Sequence, residues 1–164
     1  MGSSESLRID EATERDIPLI LEFVRGLAEY ERHDDKVQAT EERIRETIFG
    51  AEPAAQVLFA YENEIAVGFA VFFYTFSTFI GRRGLYLEDL FVKPEARGKG
   101  VGRALLRYLA RLAKEKDCYR IEWAVLHWNE PAIGFYKRLG AVPLDEWNVY
   151  RLSGDELDQL AAES

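Results

Sequence analysis

The stretch Leu90-Phe91-Val92-Lys93-Pro94-Glu95-Ala96-Arg97-Gly98-Lys99-Gly100-Val101-Gly102 joins a strand to a helix through a glycine loop. Leu90, Phe91 and Val92 close an apolar run, and Pro94 cannot extend it because proline has no N–H for a sheet ladder. From Val101 onward Ala104, Leu105, Tyr108, Leu112 and Ala113 keep helical spacing. Unpaired N–H groups at such a helix start favour an anion, pyrophosphate above all. Arg97, Lys99 and Arg103 add positive charge there, while Gly98, Gly100 and Gly102 allow the bend and clear side chains from a phosphate's path. A Walker loop requires Lys-Ser or Lys-Thr after its last glycine, which Gly102-Arg103 does not supply, and the spacing of a dinucleotide fingerprint is absent.

Upstream, residues 7–10 read as a strand, and Thr13 starts a helix that runs through Asp16 to about Tyr30. Thr40 caps a shorter helix ended by Gly50. Residues 56–62 and 65–76 form a hairpin around Asn63-Glu64, and residues 85–92 are the next strand. Downstream, residues 120–126 read as a strand and 131–139 as a helix, with Pro131 in its first turn and Gly140 at its stop. Residues 147–152 read as a last strand, and a short helix near residues 155–161 is capped at Ser153. Hairpins followed by strand–helix–strand units indicate an α+β fold on a mixed sheet.

The chain has 164 residues, 48% hydrophobic and 30% charged, which suits one globular domain, read here as residues 7–161. Residues 1–6 read as a disordered start or vector-derived sequence. A net charge of −8 argues against nucleic acid and favours a cationic small substrate. The longest apolar run, near residues 65–73, is broken by Gly68 and is too short to span a bilayer, so no membrane partner is expected. The single cysteine, Cys118, and the lack of a signal peptide point to the cytoplasm.

Four separated segments together resemble the GNAT superfamily of N-acetyltransferases. Arg97-Gly98-Lys99-Gly100-Val101-Gly102 matches its Arg/Gln-x-x-Gly-x-Gly/Ala motif. Trp128-Asn129-Glu130-Pro131-Ala132-Ile133-Gly134-Phe135-Tyr136-Lys137-Arg138-Leu139-Gly140, Leu85-Tyr86-Leu87-Glu88-Asp89-Leu90-Phe91-Val92 and Leu27-Ala28-Glu29-Tyr30-Glu31 resemble its diamine (spermidine/spermine) N-acetyltransferase subfamily. The resemblance covers nearly the whole chain. It implies a sheet of six to seven strands with helices on both faces, a cofactor cleft between two splayed central strands, acetyl-CoA as donor, a homodimer, and a primary amine of a diamine, polyamine or lysine-like acceptor. Another amino acid or a protein amine is an alternative acceptor, and a non-catalytic acyl-CoA-binding module is an alternative class.

The chemistry sets requirements of its own. An alkylammonium with a pKa of ~10.4 must lose a proton before it attacks a thioester. Glu88 and Asp89 are adjacent and would face opposite sides of a regular strand. The resemblance implies a bulged strand there that exposes N–H groups to the thioester carbonyl, with Glu88 as base or substrate anchor. It assigns Tyr136 as the acid that protonates the thiolate, and Asn129 as a contact to the pantetheine arm. Read from spacing alone, Tyr136 is equally a core aromatic and Asn129 a helix cap. The resemblance also places Leu90, Phe91, Val92, Arg97–Arg103, Pro131 and Ala132 at the cofactor. It places Tyr30, Glu31, Asp89, Glu122 and Trp123 on the substrate side, with Asp34 and Asp35 following Tyr30 and Glu31 to line an anionic, aromatic slot. The polyamine enzymes carry an aspartate at the position of Ser77 and a tryptophan at that of Phe79, so short diamines or lysine-like amines fit better than long polyamines. His33 and His127 lack partners at metal-ligand spacing, so no metal is expected, and Cys118 supplies no nucleophile, so transfer is direct.

Overall fold

The structure is a computed structural model that describes residues 7–164. The expectation for residues 1–6 therefore lies outside the described residues. The chain divides into two compact units, one ending at Ala124 and one spanning Val125–Ser164.

The first unit is built on a mixed five-stranded sheet in the order β1 (Arg8–Glu11), β2 (Gln56–Glu62), β3 (Ile65–Ser77), β4 (Arg82–Val92) and β5 (Ile121–Trp123). The first three junctions are antiparallel and β4/β5 is parallel. Asn63 and Glu64 both have positive φ (50° and 63°), the geometry of a tight hairpin turn. Helix α1 (Ile17–Tyr30) follows a short turn at which the Thr13 N–H donates to Asp16 Oδ2 (2.8 Å). Helix α2 (Glu41–Ile48) is capped by Thr40, whose hydroxyl accepts the Arg43 N–H (3.2 Å).

The two sheet faces have different partners. Val57, Phe59, Phe69 and Phe91 pack with Ile17, Ile20, Leu21 and Phe23 of α1 and Ile44 of α2. Phe23 meets Phe59 edge to face at 5.3 Å, so these aromatics anchor α1 to the sheet. On the opposite face lies α3 (Val101–Glu115). A Cβ at Gly68 would meet Val101 Cγ1 at 2.9 Å and Leu105 Cδ1 at 3.4 Å. The glycine that interrupts the longest apolar run is thus the seat on which α3 lands.

The second unit holds α4 (Glu130–Arg138) and α5 (Gly154–Ala161). Asn129 caps α4, its Oδ1 accepting the Ala132 N–H at 3.4 Å, and Gly140 ends it with φ of 89°. Ser153 precedes α5 as expected, but its side chain makes no cap hydrogen bond.

One expected strand is shortened and another is absent, leaving five strands among the described residues instead of six to seven. The strand expected at 120–126 shrinks to Ile121–Trp123, since its ladder with β4 spans only those residues. Residues 147–152 form no strand. Their β-prone residues fit a pleated surface, but a strand also needs a partner, and the sheet ends at β5. Among the described residues no helix is long and apolar enough to cross a membrane.

Candidate active site

The centre of the site is a bulge in β4. Val71 pairs with Asp89 and Phe72 with Leu87, which leaves Glu88 unpaired on the β3 side. The extra residue shifts the strand's frame. Leu87 follows Phe72, which lines a cavity with Tyr108 and Leu112 on the α3 side, whereas Asp89 follows Val71, which packs toward α1. Asp89 and Phe91 therefore face α1, as Tyr86 does before the bulge. The β4/β5 ladder ends at Leu87↔Trp123, immediately before Glu88, so β4 beyond it is paired on one side only. Lys93 N–H donates to Val67 O (2.8 Å) on the β3 side. By alternation the N–H and C=O groups of Leu90 and Val92 point away from β3, and of these the Val92 carbonyl is taken by Arg97 Nε. Phe91, by contrast, sends its ring into the core under α1 and, by the same alternation, its backbone groups toward β3, so it faces the open edge with neither.

Carboxylates collect on the α1 face of this bulge. Burial, then the charges of Glu88 and Glu31, push the Asp89 carboxyl up to about 7. Tyr86 is raised as well, by burial and then by Glu88, Glu122 and Asp89. Glu122 lies opposite Tyr86 in the β4/β5 register and is ion-paired with Arg120. The structure thus brings together Glu31, Glu88, Asp89 and Glu122 of the expected substrate residues. Glu88 is exposed, and its neighbour Asp89 is half-buried. Asp34 instead lines an open depression with Arg25, Glu29, Val37 and Ala39, and neither it nor Asp35 is among the charges that raise Asp89. Trp123 is half-buried on β5 beside Glu122.

Tyr86 went unrecognised in the sequence. It packs tilted against Phe73 with ring centroids 5.2 Å apart, and the acidic groups surround that aromatic pair. An alternating aromatic in a strand reads as core, and only the register with Glu122 shows otherwise. Ser77 shapes the β3–β4 turn, its hydroxyl accepting the Ile80 N–H (3.4 Å), and Phe79 is almost fully exposed.

The glycine loop opens as expected, for a partly different reason. Gly98 and Gly100 have φ of 77° and 85°, with nothing near the position of a Cβ, so backbone handedness demands glycine there. Gly102 is helical, and a Cβ there would meet only Val92 Cγ2 at an ordinary 3.8 Å. Neither conformation nor protein neighbours require that glycine. The first helical bond of α3 runs from Ala104 N to Gly100 O (3.0 Å), so the N–H groups of Val101, Gly102 and Arg103 have no helical acceptor. The first turn of α3 holds no acidic residue and no side-chain cap. Lys99 reaches Glu62 at 3.9 Å. The Arg97 guanidinium lies over the Tyr30 ring at 4.7 Å and the Phe91 ring at 5.6 Å, and its Nε donates to Val92 O (3.0 Å).

In the second unit, Asn129, Pro131 and Ala132 form the start of α4, and Tyr136 lies farther along it with its ring 5.7 Å from that of Phe135. Cys118 is buried with its thiol pKa raised by that burial, which suits a packing role.

Residues 20–141 match the family model described as "Acetyltransferase (GNAT) family". The chain is 38% identical to the thialysine N-epsilon-acetyltransferase of Sus scrofa, covering 95% of this chain and 98% of that protein. It is 29% identical to the L-ornithine N5-acetyltransferase of Arabidopsis thaliana, covering 93% and 87%. Among solved structures, an integron cassette protein from the mobile metagenome of V. cholerae superposes with a TM-score of 0.81 at 30% identity, covering 96% and 99%.

Proposed function

Because the chain belongs to the acetyltransferase (GNAT) family and is an acetyltransferase of amines, we propose that it moves the acetyl group of acetyl-CoA directly to the primary amine of a small cation. The observation that carries this reading is the β4 bulge, which sets an open backbone edge beside a half-buried carboxyl raised to about 7. The pyrophosphate is held by the N–H groups of Val101, Gly102 and Arg103, and the pantetheine arm pairs with the Leu90 backbone and the Val92 N–H in the manner of an added strand, the Val92 carbonyl being held by Arg97 Nε. N–H groups freed at the bulge polarise the thioester carbonyl. The amine enters as an ammonium drawn by Glu31, Glu88 and Glu122, and rests on the Tyr86–Phe73 pair.

Asp89, its carboxyl raised to about 7, is the proton acceptor of this reading. It takes the ammonium proton directly or through water, and exposed Glu88 relays or anchors. The freed nitrogen lone pair attacks the carbonyl carbon, the C–S bond breaks, and the departing thiolate takes a proton, a role the resemblance assigns to Tyr136. Asn129 caps α4 and, on the same resemblance, contacts the pantetheine arm. A lysine-like amino acid is the favoured acceptor over a long polyamine. The relatives act on thialysine and ornithine, and Ser77 stands where polyamine enzymes carry a charge. A homodimer is part of the proposal, checked by light scattering.

The test is coenzyme A release measured with thialysine, lysine, ornithine, putrescine and spermidine. Turnover should favour the amino acids and short diamines. Tight acetyl-CoA binding without turnover on any amine would leave only a binding module, and spermidine as the best substrate would overturn the argument from Ser77.

A further inference from the structure

We propose that Arg97 is a positioning residue for the amine side of the reaction, tying the carboxylate cluster to the glycine loop so that donor and amine bind cooperatively. This rests on the function proposed above. The Arg97 side chain turns back from the loop instead of reaching along it. Its guanidinium stacks on Tyr30 and Phe91, whose ring centroids are 6.4 Å apart, and its Nε–H is spent on Val92 O. A planar, multiply donating head can stack and hydrogen-bond at once, which an ammonium cannot.

Both ends of this clamp carry function. Tyr30 ends α1, and Glu31 follows with its N–H on Leu27 O (2.9 Å). Glu31 is one of the two charges that raise Asp89. The approach of α1 to β4 is already close, since a Cβ at Gly26 would lie 3.0 Å from Phe91 Cε1. At the other end Arg97 is extended (φ −70°, ψ 152°) and directly precedes left-handed Gly98. One residue thus fixes the entry to the anion loop through its backbone and the last turn of α1 through its side chain. An anion that orders the loop steadies Glu31, and by linkage an ammonium held near Glu31 tightens the anion's binding.

The test is a kinetic and binding cycle on the full chain with Arg97→Lys, Tyr30→Leu and the double variant. Arg97→Lys keeps the charge and loses the fork. Each single change should raise the amine KM by roughly threefold to tenfold, the span of a partly exposed cation–π contact, with kcat within about twofold. The double variant should be less than about twofold worse than either single one, and saturating coenzyme A should tighten amine binding in the wild type only. Additive effects, or a loss confined to coenzyme A affinity, would overturn the proposal. A wild type that turns over no amine defeats the functional reading instead. In that case the 15N resonance of Arg97 Nε decides independently of activity. Ring-current shifted and protected in the wild type, and released by Tyr30→Leu, it supports the clamp; an unshifted, freely exchanging resonance overturns it.

Discussion

Asp89→Asn should make the protein more stable, by an amount that grows with pH. The carboxyl is partly withdrawn from water and sits among like charges, which raises it from 3.8 to about 7. Between those values the folded chain keeps a proton that the unfolded chain has released. Stability that is complete below the unfolded value therefore drains away as pH rises through the folded one. At about 1.4 kcal/mol per pK unit the displacement sets a ceiling of about 4 kcal/mol at pH 8. Asp89 keeps some solvent contact and the side chains of Glu88 and Glu31 can turn aside, so about half of that ceiling is expected. For a chain of this size ~2 kcal/mol moves Tm by roughly 4–8 °C. Asparagine keeps the shape and removes the charge, so thermal melts of both proteins at half-unit steps from pH 4 to pH 8 give the comparison. The variant's advantage should be small at pH 4 and full at pH 8, and putrescine should narrow it by stabilising the wild type more. An advantage that is flat across pH, or a variant less stable than wild type at pH 8, refutes the claim that Asp89 is held half-buried against like charge.

Tyr136→Phe should lower kcat severalfold or more while leaving the affinity for acetyl-CoA nearly unchanged; an unaltered kcat where chemistry limits the rate removes Tyr136 as the acid. Gly100→Ala should cost about 1–2 kcal/mol in urea unfolding because its φ is 85°, whereas helical Gly102→Leu should leave the unfolding midpoint nearly in place and weaken acetyl-CoA binding more than tenfold by calorimetry. Glu31→Gln should raise the amine KM with kcat held within about threefold, and Val71→Ala, which opens the neighbour of Asp89 to water, should do the reverse; matching kinetic profiles for the two would contradict the assignment.

Much of the scaffold was readable because its signals are local. The Asn63-Glu64 hairpin, the Thr13 and Thr40 starts and the periodic face of α3 each depend on residues within one or two turns of chain. The site was less readable because its signals are relational. Leu85, Leu87, Asp89 and Phe91 look like one continuous face in the sequence, and only pairing with β3 reveals that the frame changes at Glu88. Tyr86 acquires its meaning from Glu122, which reaches it across the parallel ladder from beyond α3. Gly98 and Gly100 were recognised as necessary, but their left-handed backbone is a matter of conformation that composition does not show. The absent strand at 147–152 makes the same point from the other side, since propensity describes a segment and a strand requires two.

Glu31→Gln and Val71→Ala are expected to diverge because the cluster must both attract an ammonium and take its proton. With an amine near ~10.4, transfer to a carboxyl at about 7 is uphill by about 4–5 kcal/mol, against roughly 9 kcal/mol for an ordinary aspartate. The causes of the displacement are not equally useful, however. The negative charges of Glu31 and Glu88 raise Asp89, but they raise a neighbouring ammonium too, so the gap between donor and acceptor hardly changes. Exclusion of water works on both partners in the helpful sense, raising the acid and lowering the ammonium. Burial is also the largest of the three causes at Asp89. The surrounding carboxylates therefore govern how much amine is held, and the partial exclusion of water around Asp89 governs how readily the amine gives up its proton.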